Sequence, residues 1–249
     1  QFLNSNWAPS WSPDGARVAY LSRRGSNPSA GAVLMIHTMA TGEDREVPLR
    51  IVPADRVSWF PDGRSVLVAS REQAEGRLAF FRVDLATGEP RLLLRTKGMG
   101  LPIRRPEVSP DGRAIVYVDR FGPEMGSGGA QLLRFDLASG RDTELKRLDG
   151  KDDVFTSFAI SPDGGEVAYA RYEGDGRGLI LEVIPQTGGP SRTLFRDVNF
   201  TGSRYSGLAW TNDKRSVIFA RTPDASAGAT TAFWKVPVDG GPAENLGIS

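Results

Sequence analysis

The sequence has no cysteine and a single histidine, His37. The absence of cysteine excludes disulfides, a thiolate nucleophile and a thiolate metal cage. One imidazole leaves little scope for a histidine-based metal site, so we expect no metal and no cofactor. No apolar run approaches the ~20 residues of a membrane-spanning helix. The 31 basic and 30 acidic residues give a net charge of +1, which excludes binding of nucleic acid driven by bulk charge.

The amino terminus carries no secretory signal segment, and the first residue is glutamine, not methionine. We therefore expect either a processed protein or a piece of a longer one. A chain without cysteine is compatible with the periplasm, the extracellular space and the cytoplasm.

Glycine and proline are abundant, with 29 and 17 residues, as expected for many short strands joined by turns. A ten-residue pattern recurs five times, and each copy starts 48 to 52 residues after the start of the one before it. The copies are Trp11–Tyr20, Trp59–Val68, Val108–Tyr117, Ile160–Tyr169 and Trp210–Phe219. Four of them contain Pro-Asp-Gly, and the fifth has Asn-Asp-Lys in its place. Such a period is the signature of a repeat architecture.

Each copy predicts four strands. Strand A ends at the Pro-Asp-Gly turn, strand B follows it, strand C precedes a second turn such as Thr-Gly or Asp-Gly, and strand D follows that turn. Stacked four-stranded units of this length make an all-β fold, the β-propeller. We predict one domain, 1–249, with antiparallel blades near 1–50, 51–98, 99–149, 150–199 and 200–249. Five blades are counted, and a sixth outside the sequence is the alternative.

Strand A should pack between blades through the residue two positions before the turn proline or its equivalent. These residues are Trp11, Trp59, Val108, Ile160 and Trp210.

The repeated Ser-Pro-Asp-Gly core, followed by a strand and an Asp-x-x-(Thr/Ser)-Gly turn, resembles the WD-repeat-like unit of the TolB-like propeller family. The resemblance covers essentially the whole chain. It implies a bacterial scaffold, periplasmic or extracellular, that binds a protein or peptide. The same unit is found in propellers attached to prolyl-oligopeptidase-type peptidases and in propellers fused to bacterial regulators.

The sequence contains no catalytic constellation that we can recognise. A Ser-His-Asp triad needs a histidine beside its nucleophile, and His37 lies in an apolar strand, where a structural role is the better interpretation. There is no Gly-x-Ser-x-Gly elbow. Glu107 is the only acid within a strand-A segment, so it is the candidate near the channel for a glycan hydrolase, which needs two such acids. The repeated aspartates are expected to be turn residues: Asp14, Asp62, Asp111, Asp163 and Asp213.

Basic residues are predicted to concentrate at one end of the blades. Loops between strands B and C, and connections between strand D and the next strand A, share a face that we call the top face. An arginine follows strand B in every unit: Arg23, Arg71, Arg120, Arg171 and Arg221. Four more approach strand A: Arg56, Arg104, Arg105 and Arg204.

These arginines allow two interpretations. They cap strand ends and pair with nearby acids such as Glu72 or Asp119, or they line a mouth that receives an acidic peptide, because the planar guanidinium pairs carboxylates bidentately. Three functions therefore stay open. They are a non-enzymatic propeller that binds a protein or peptide on its top face, a gating or sensor propeller of a larger protein, and a propeller glycan hydrolase.

Overall fold

A computed structural model describes residues 5–23, 32–51, 53–71, 78–98, 106–122, 128–150, 154–173, 178–197, 207–221 and 231–248, without the side chains of 53–55, 71 and 173. These residues form twenty strands and no helix. The chain divides into two compact units, Gln1–Ile115 with Asp136–Arg141, and Val116–Phe135 with Asp142–Ser249.

The strands form five four-stranded sheets, each of them one blade of a β-propeller. Blade 1 contains β1 (Asn6–Trp11), β2 (Arg17–Ser22), β3 (Val33–Thr38) and β4 (Glu43–Val47). Blade 2 contains β5 (Pro53–Trp59), β6 (Ser65–Arg71), β7 (Leu78–Asp84) and β8 (Pro90–Arg95). Blade 3 contains β9 (Glu107–Val108), β10 (Ala114–Arg120), β11 (Ala130–Asp136) and β12 (Arg141–Leu148).

Blade 4 contains β13 (Phe155–Ile160), β14 (Glu166–Glu173), β15 (Gly178–Pro185) and β16 (Arg192–Asp197). Blade 5 contains β17 (Leu208–Trp210), β18 (Ser216–Arg221), β19 (Ala232–Pro237) and β20 (Glu244–Asn245). Every sheet keeps the order of the sequence. The predicted fold class, five antiparallel four-stranded blades, is confirmed.

Apolar side chains alternate along the strands and meet between neighbouring blades. In the first unit, Leu34 and Ile36 of blade 1 belong to one buried cluster with Val66 and Val68 of blade 2. In the second unit, Leu181 of blade 4 lies in a buried cluster with blade 5 residues. Because a sheet with two apolar faces cannot bury both alone, each blade depends on its neighbours for stability.

The Pro-Asp-Gly turns are held by their aspartates. Asp163 Oδ1 accepts hydrogen bonds from Ser161 Oγ at 2.7 Å and from the Gly165 amide at 3.1 Å. The turn glycine that follows has a φ of +74° at Gly164. In blade 5 the same position is Lys214, which takes a φ of 61°, although non-glycine residues seldom adopt this conformation.

The pKa values of four of these turn aspartates, Asp14, Asp62, Asp163 and Asp213, are lowered. Hydrogen bonds from Lys214 and Ser161 hold the pKa of Asp163 below its usual range. A lowered folded-state pKa contributes stability above the unfolded value of about 4, and this stability is lost as the pH falls toward the folded value.

Asp163→Ala is therefore expected to lower the free energy of unfolding by about 1 kcal/mol at pH 7, and by less at pH 3. Urea unfolding at the two pH values measures the difference. Asp239→Ala is the matched control, since Asp239 is exposed and its side chain forms no hydrogen bond or ion pair with another described residue. An equal loss of stability at both pH values would show that the negative charge of Asp163 does not contribute to the free energy of unfolding.

Candidate functional site

Arg171 and Arg221, two of the repeated arginines whose side chains the structure describes, are paired with acids. Arg171 Nε lies 2.8 Å from Glu182 Oε2, and the two side chains are only 18% and 8% exposed. Arg221 of blade 5 contacts Asp197 of blade 4 at 2.5 Å, and its guanidinium lies 5.1 Å from the centre of the Trp234 ring. Both guanidinium groups are therefore already neutralised, which favours a structural role for these two residues.

The other top-face candidates differ in their surroundings. Arg23 is exposed, with its guanidinium 5.7 Å from the Trp7 ring centre. Arg56 is half-buried and forms no ion pair with another described residue. Arg120 is half-buried at the end of β10. The side chain of Arg71 and the residues Arg104, Arg105 and Arg204 lie outside the described part of the chain.

Glu107 and His37 are the two residues singled out for possible chemistry. Glu107 is half-buried on β9. His37 lies on β3, with its Nδ1 atom 3.1 Å from Asp44 Oδ1. The same carboxylate oxygen accepts a hydrogen bond of 2.9 Å from the Tyr20 hydroxyl. The imidazole thus contacts an acid and no nucleophile within the described residues.

Sequence reasoning missed the tyrosine that joins strands B and D. Tyr117 Oη donates to Asp142 Oδ1 at 2.9 Å, which repeats in blade 3 the Tyr20–Asp44 contact of blade 1. Burial and the negative charge of Asp142 raise the pKa of Tyr117, which keeps its hydroxyl a donor. The signal was available, because both tyrosines follow the turn proline by seven positions and an aspartate follows each of them on strand D.

An open groove on blade 1 was not predicted from the sequence. The groove has a volume of about 480 Å³. It is lined by Asn6, Trp7, Pro9, Trp11, Val18, Tyr20, His37, Met39 and Asp44. Trp11 was expected to be covered between blades but is 59% exposed, whereas its counterpart Trp59 is 6% exposed.

Within the described ranges, no group of three or more histidine, cysteine, aspartate or glutamate side chains is placed to hold a metal ion. The same ranges contain no helix that is long and apolar enough to cross a membrane.

Comparison with known proteins identifies the repeat. The chain is 31% identical to the Tol-Pal system protein TolB of Bordetella pertussis, over 71% of this chain and 46% of that protein. The solved structure of a putative TolB from Agrobacterium tumefaciens superposes with a TM-score of 0.70 at 19% identity, covering 98% of this chain and 80% of that one. The chain is a TolB-like β-propeller. It spans about half the length of the curated relatives that it matches.

Other comparisons support the fold alone. TolB from Acinetobacter baumannii matches with a TM-score of 0.67 at 18% identity, over 97% of this chain and 56% of that one. An acylaminoacyl peptidase matches with a TM-score of 0.65 at 14% identity, over 98% of this chain and 39% of that one. No protein-family model matches the sequence. The TolB-like propeller fold is thus shared with enzymes, and it does not decide between a scaffold and a gating domain.

Proposed function

We propose that this TolB-like propeller is a non-enzymatic scaffold that binds a protein or peptide partner, in the periplasm or outside the cell. The sequence similarity to a Tol-Pal system protein is the observation that carries the proposal. The arrangement around His37 agrees with it, because the imidazole contacts the Asp44 carboxylate, which also accepts from Tyr20, rather than a nucleophile.

We further propose that Arg23 and Arg56 bind acidic groups of the partner. Both belong to the first compact unit. Arg23 follows the end of β2, at the predicted top face, and Arg56 is the central residue of β5, the strand that begins at this face. Neither is neutralised by an ion pair within the described residues, in contrast to Arg171 and Arg221. A guanidinium that is not already paired with an acid can bind a carboxylate without first losing a partner.

Binding of fluorescein-labelled hexaglutamate tests this proposal by anisotropy. We expect saturable binding that weakens as salt rises, because salt screens exposed charges. The Arg23→Ala/Arg56→Ala double variant should weaken binding about fivefold, as expected for two exposed ion pairs. Arg64→Ala is the matched control, since Arg64 is exposed at the opposite end of blade 2.

Equal binding by the double variant and by Arg64→Ala would refute the role of these two arginines. Hydrolysis of a peptide by the native protein, with this propeller regulating access, would instead favour a gating domain of a larger protein.

A further inference from the structure

Seven aspartates of this chain are followed directly by glycine. Asp175 lies outside the described residues, and the other six lie within them: Asp14, Asp62, Asp111, Asp149, Asp163 and Asp239. Aspartate is chemically least stable in this sequence, because glycine has no Cβ to hinder a reaction at its own amide nitrogen. The structure places the six side chains in different surroundings, so we expect them to react at different rates.

The reaction is the rearrangement of aspartate to isoaspartate, and it needs no enzyme. The glycine nitrogen attacks Cγ of a neutral side-chain carboxyl group. An N–Cγ bond forms, the Cγ–OH bond breaks, and water leaves with the amide proton. A second water then opens the resulting succinimide ring. Opening at the former main-chain carbonyl gives isoaspartate, whose main chain runs through Cγ, and opening at Cγ restores aspartate.

The four aspartates of the Pro-Asp-Gly turns are held away from this reaction. In each of them Oδ1 accepts from the main-chain amide two positions on, at 2.9 to 3.1 Å. The same oxygen accepts from a serine hydroxyl: that of Ser12, Ser65, Ser109 or Ser161. The turn glycine is held as well, since its amide donates to a main-chain oxygen at 2.8 to 3.1 Å. These bonds must break before the nitrogen can reach Cγ, which slows the attack.

Charge adds to this protection at Asp163. Lys214 Nζ lies 2.7 Å from Asp163 Oδ2, so both carboxylate oxygens have a partner. Hydrogen bonds from Lys214 and Ser161 hold the pKa of Asp163 below its usual range. The neutral carboxyl group, which is the form that loses water, is therefore rare at this position.

Asp239 has none of these restraints. It lies between β19 and β20, it is exposed, and its side chain forms no hydrogen bond or ion pair with another described residue. The Gly240 amide lies 3.4 Å from the Pro237 oxygen, whereas the Gly188 amide, at the same position in blade 4, lies 2.9 Å from its acceptor. Nothing lies within 4 Å of where a Cβ of Gly240 would be. Both reacting groups are therefore free to approach each other.

The exposure of Asp239 is a property of this turn in every blade. The residue directly before the turn glycine is exposed in all five: Thr41, Thr87, Ser139, Thr187 and Asp239. The tip of the turn thus faces solvent whichever blade carries it. Blade 5 differs from the others because its residue at this position is an aspartate.

We propose that Asp239 is a site of spontaneous conversion to isoaspartate, and that the Pro-Asp-Gly turns of the repeat are protected from the same conversion. The product belongs to the substrate class of carboxyl methyltransferases that use S-adenosylmethionine. The conversion adds one carbon to the main chain of the turn. Arg192 of β16 donates to the Val238 oxygen, so the altered main chain lies beside a contact between blades 4 and 5.

The test is incubation of the native protein at mildly acidic pH in water enriched in ¹⁸O. Incorporated ¹⁸O reports ring opening in each proteolytic peptide, and electron-transfer dissociation distinguishes isoaspartate from aspartate. We expect Asp239 to convert at least about tenfold faster than the four turn aspartates, because hydrogen bonds to their carboxylates must break first. Asp239→Glu keeps the charge but lengthens the side chain, so the conversion at this position should disappear.

Asp149 provides an independent check of the restraint. Its side chain is 76% exposed and is held by Arg147, whose Nε donates to Oδ1 at 2.6 Å. Arg147→Ala should therefore raise the conversion of Asp149 about threefold and leave that of Asp239 unchanged. An unchanged rate at Asp149 would overturn the claim that side-chain contacts control the reaction.

The unfolded chain separates structure from local sequence. In concentrated urea the described Asp–Gly pairs should convert at similar rates, because the hydrogen bonds of the turns are lost. Faster conversion of Asp239 that persists in urea would assign the difference to neighbouring residues in the sequence and overturn the structural explanation. Conversion of Asp239 no faster than that of Asp163 in the native protein would overturn the proposal itself.

Discussion

Gly88→Ala is expected to destabilise the protein by about 3 kcal/mol. Gly88 lies in the turn between β7 and β8, with a φ of +73°, and a Cβ atom there would lie 1.9 Å from the main-chain oxygen of Pro48 in blade 1. The cost combines the left-handed conformation with a clash against backbone, which can be relieved only by moving the backbone of Gly88 or of Pro48.

Gly42 separates these two contributions. It occupies the same position of the repeat in blade 1, with a φ of +70°, and nothing lies within 4 Å of where its Cβ would be. Gly42→Ala should therefore cost only about 1 kcal/mol, the price of the backbone conformation. Urea unfolding of the two variants measures both. Equal losses would show that the approach of Gly88 to Pro48 does not limit the spacing of blades 1 and 2.

The fold could be predicted because its signals are local and repeated. A turn such as Ser161–Gly164 sets where two strands end, and the alternation of apolar residues after it sets which side chains face the neighbouring blade. The Thr-Gly turns were equally visible in the sequence. The close approach of Gly88 to Pro48 was not, because Gly42 has the same sequence context and open space around it.

The candidate site was less predictable, because it depends on contacts across strands. The arginines were expected to pair with acids close to them in sequence. The register instead places Glu182 on β15 opposite Tyr169 of β14, whereas Arg171 of β14 lies opposite Ile180. Arg171 and Glu182 are therefore diagonal neighbours on adjacent strands, and such neighbours are within reach of long side chains. Likewise, Trp11 and Trp59 are alike in sequence, and only the structure shows that one is covered and the other exposed.

The Arg171–Glu182 pair yields the second large effect. Glu182→Ala is expected to lower the free energy of unfolding by about 3 kcal/mol, because it leaves a mostly buried guanidinium without its carboxylate. Glu166→Ala in the same blade is the matched control. Its partner Arg192 lies 2.9 Å away, but the two side chains are 49% and 34% exposed, so that loss should stay below about 1 kcal/mol.

A double variant then distinguishes structure from binding at Arg171. Arg171→Met/Glu182→Leu replaces the pair with apolar side chains of similar size, and its stability should return to within about 1 kcal/mol of the unmodified chain. If Arg171 only neutralises Glu182, this variant binds hexaglutamate as the unmodified chain does. A stable double variant that has lost hexaglutamate binding would instead place Arg171 in the binding surface. The ion pair would then have to open when the acidic partner arrives.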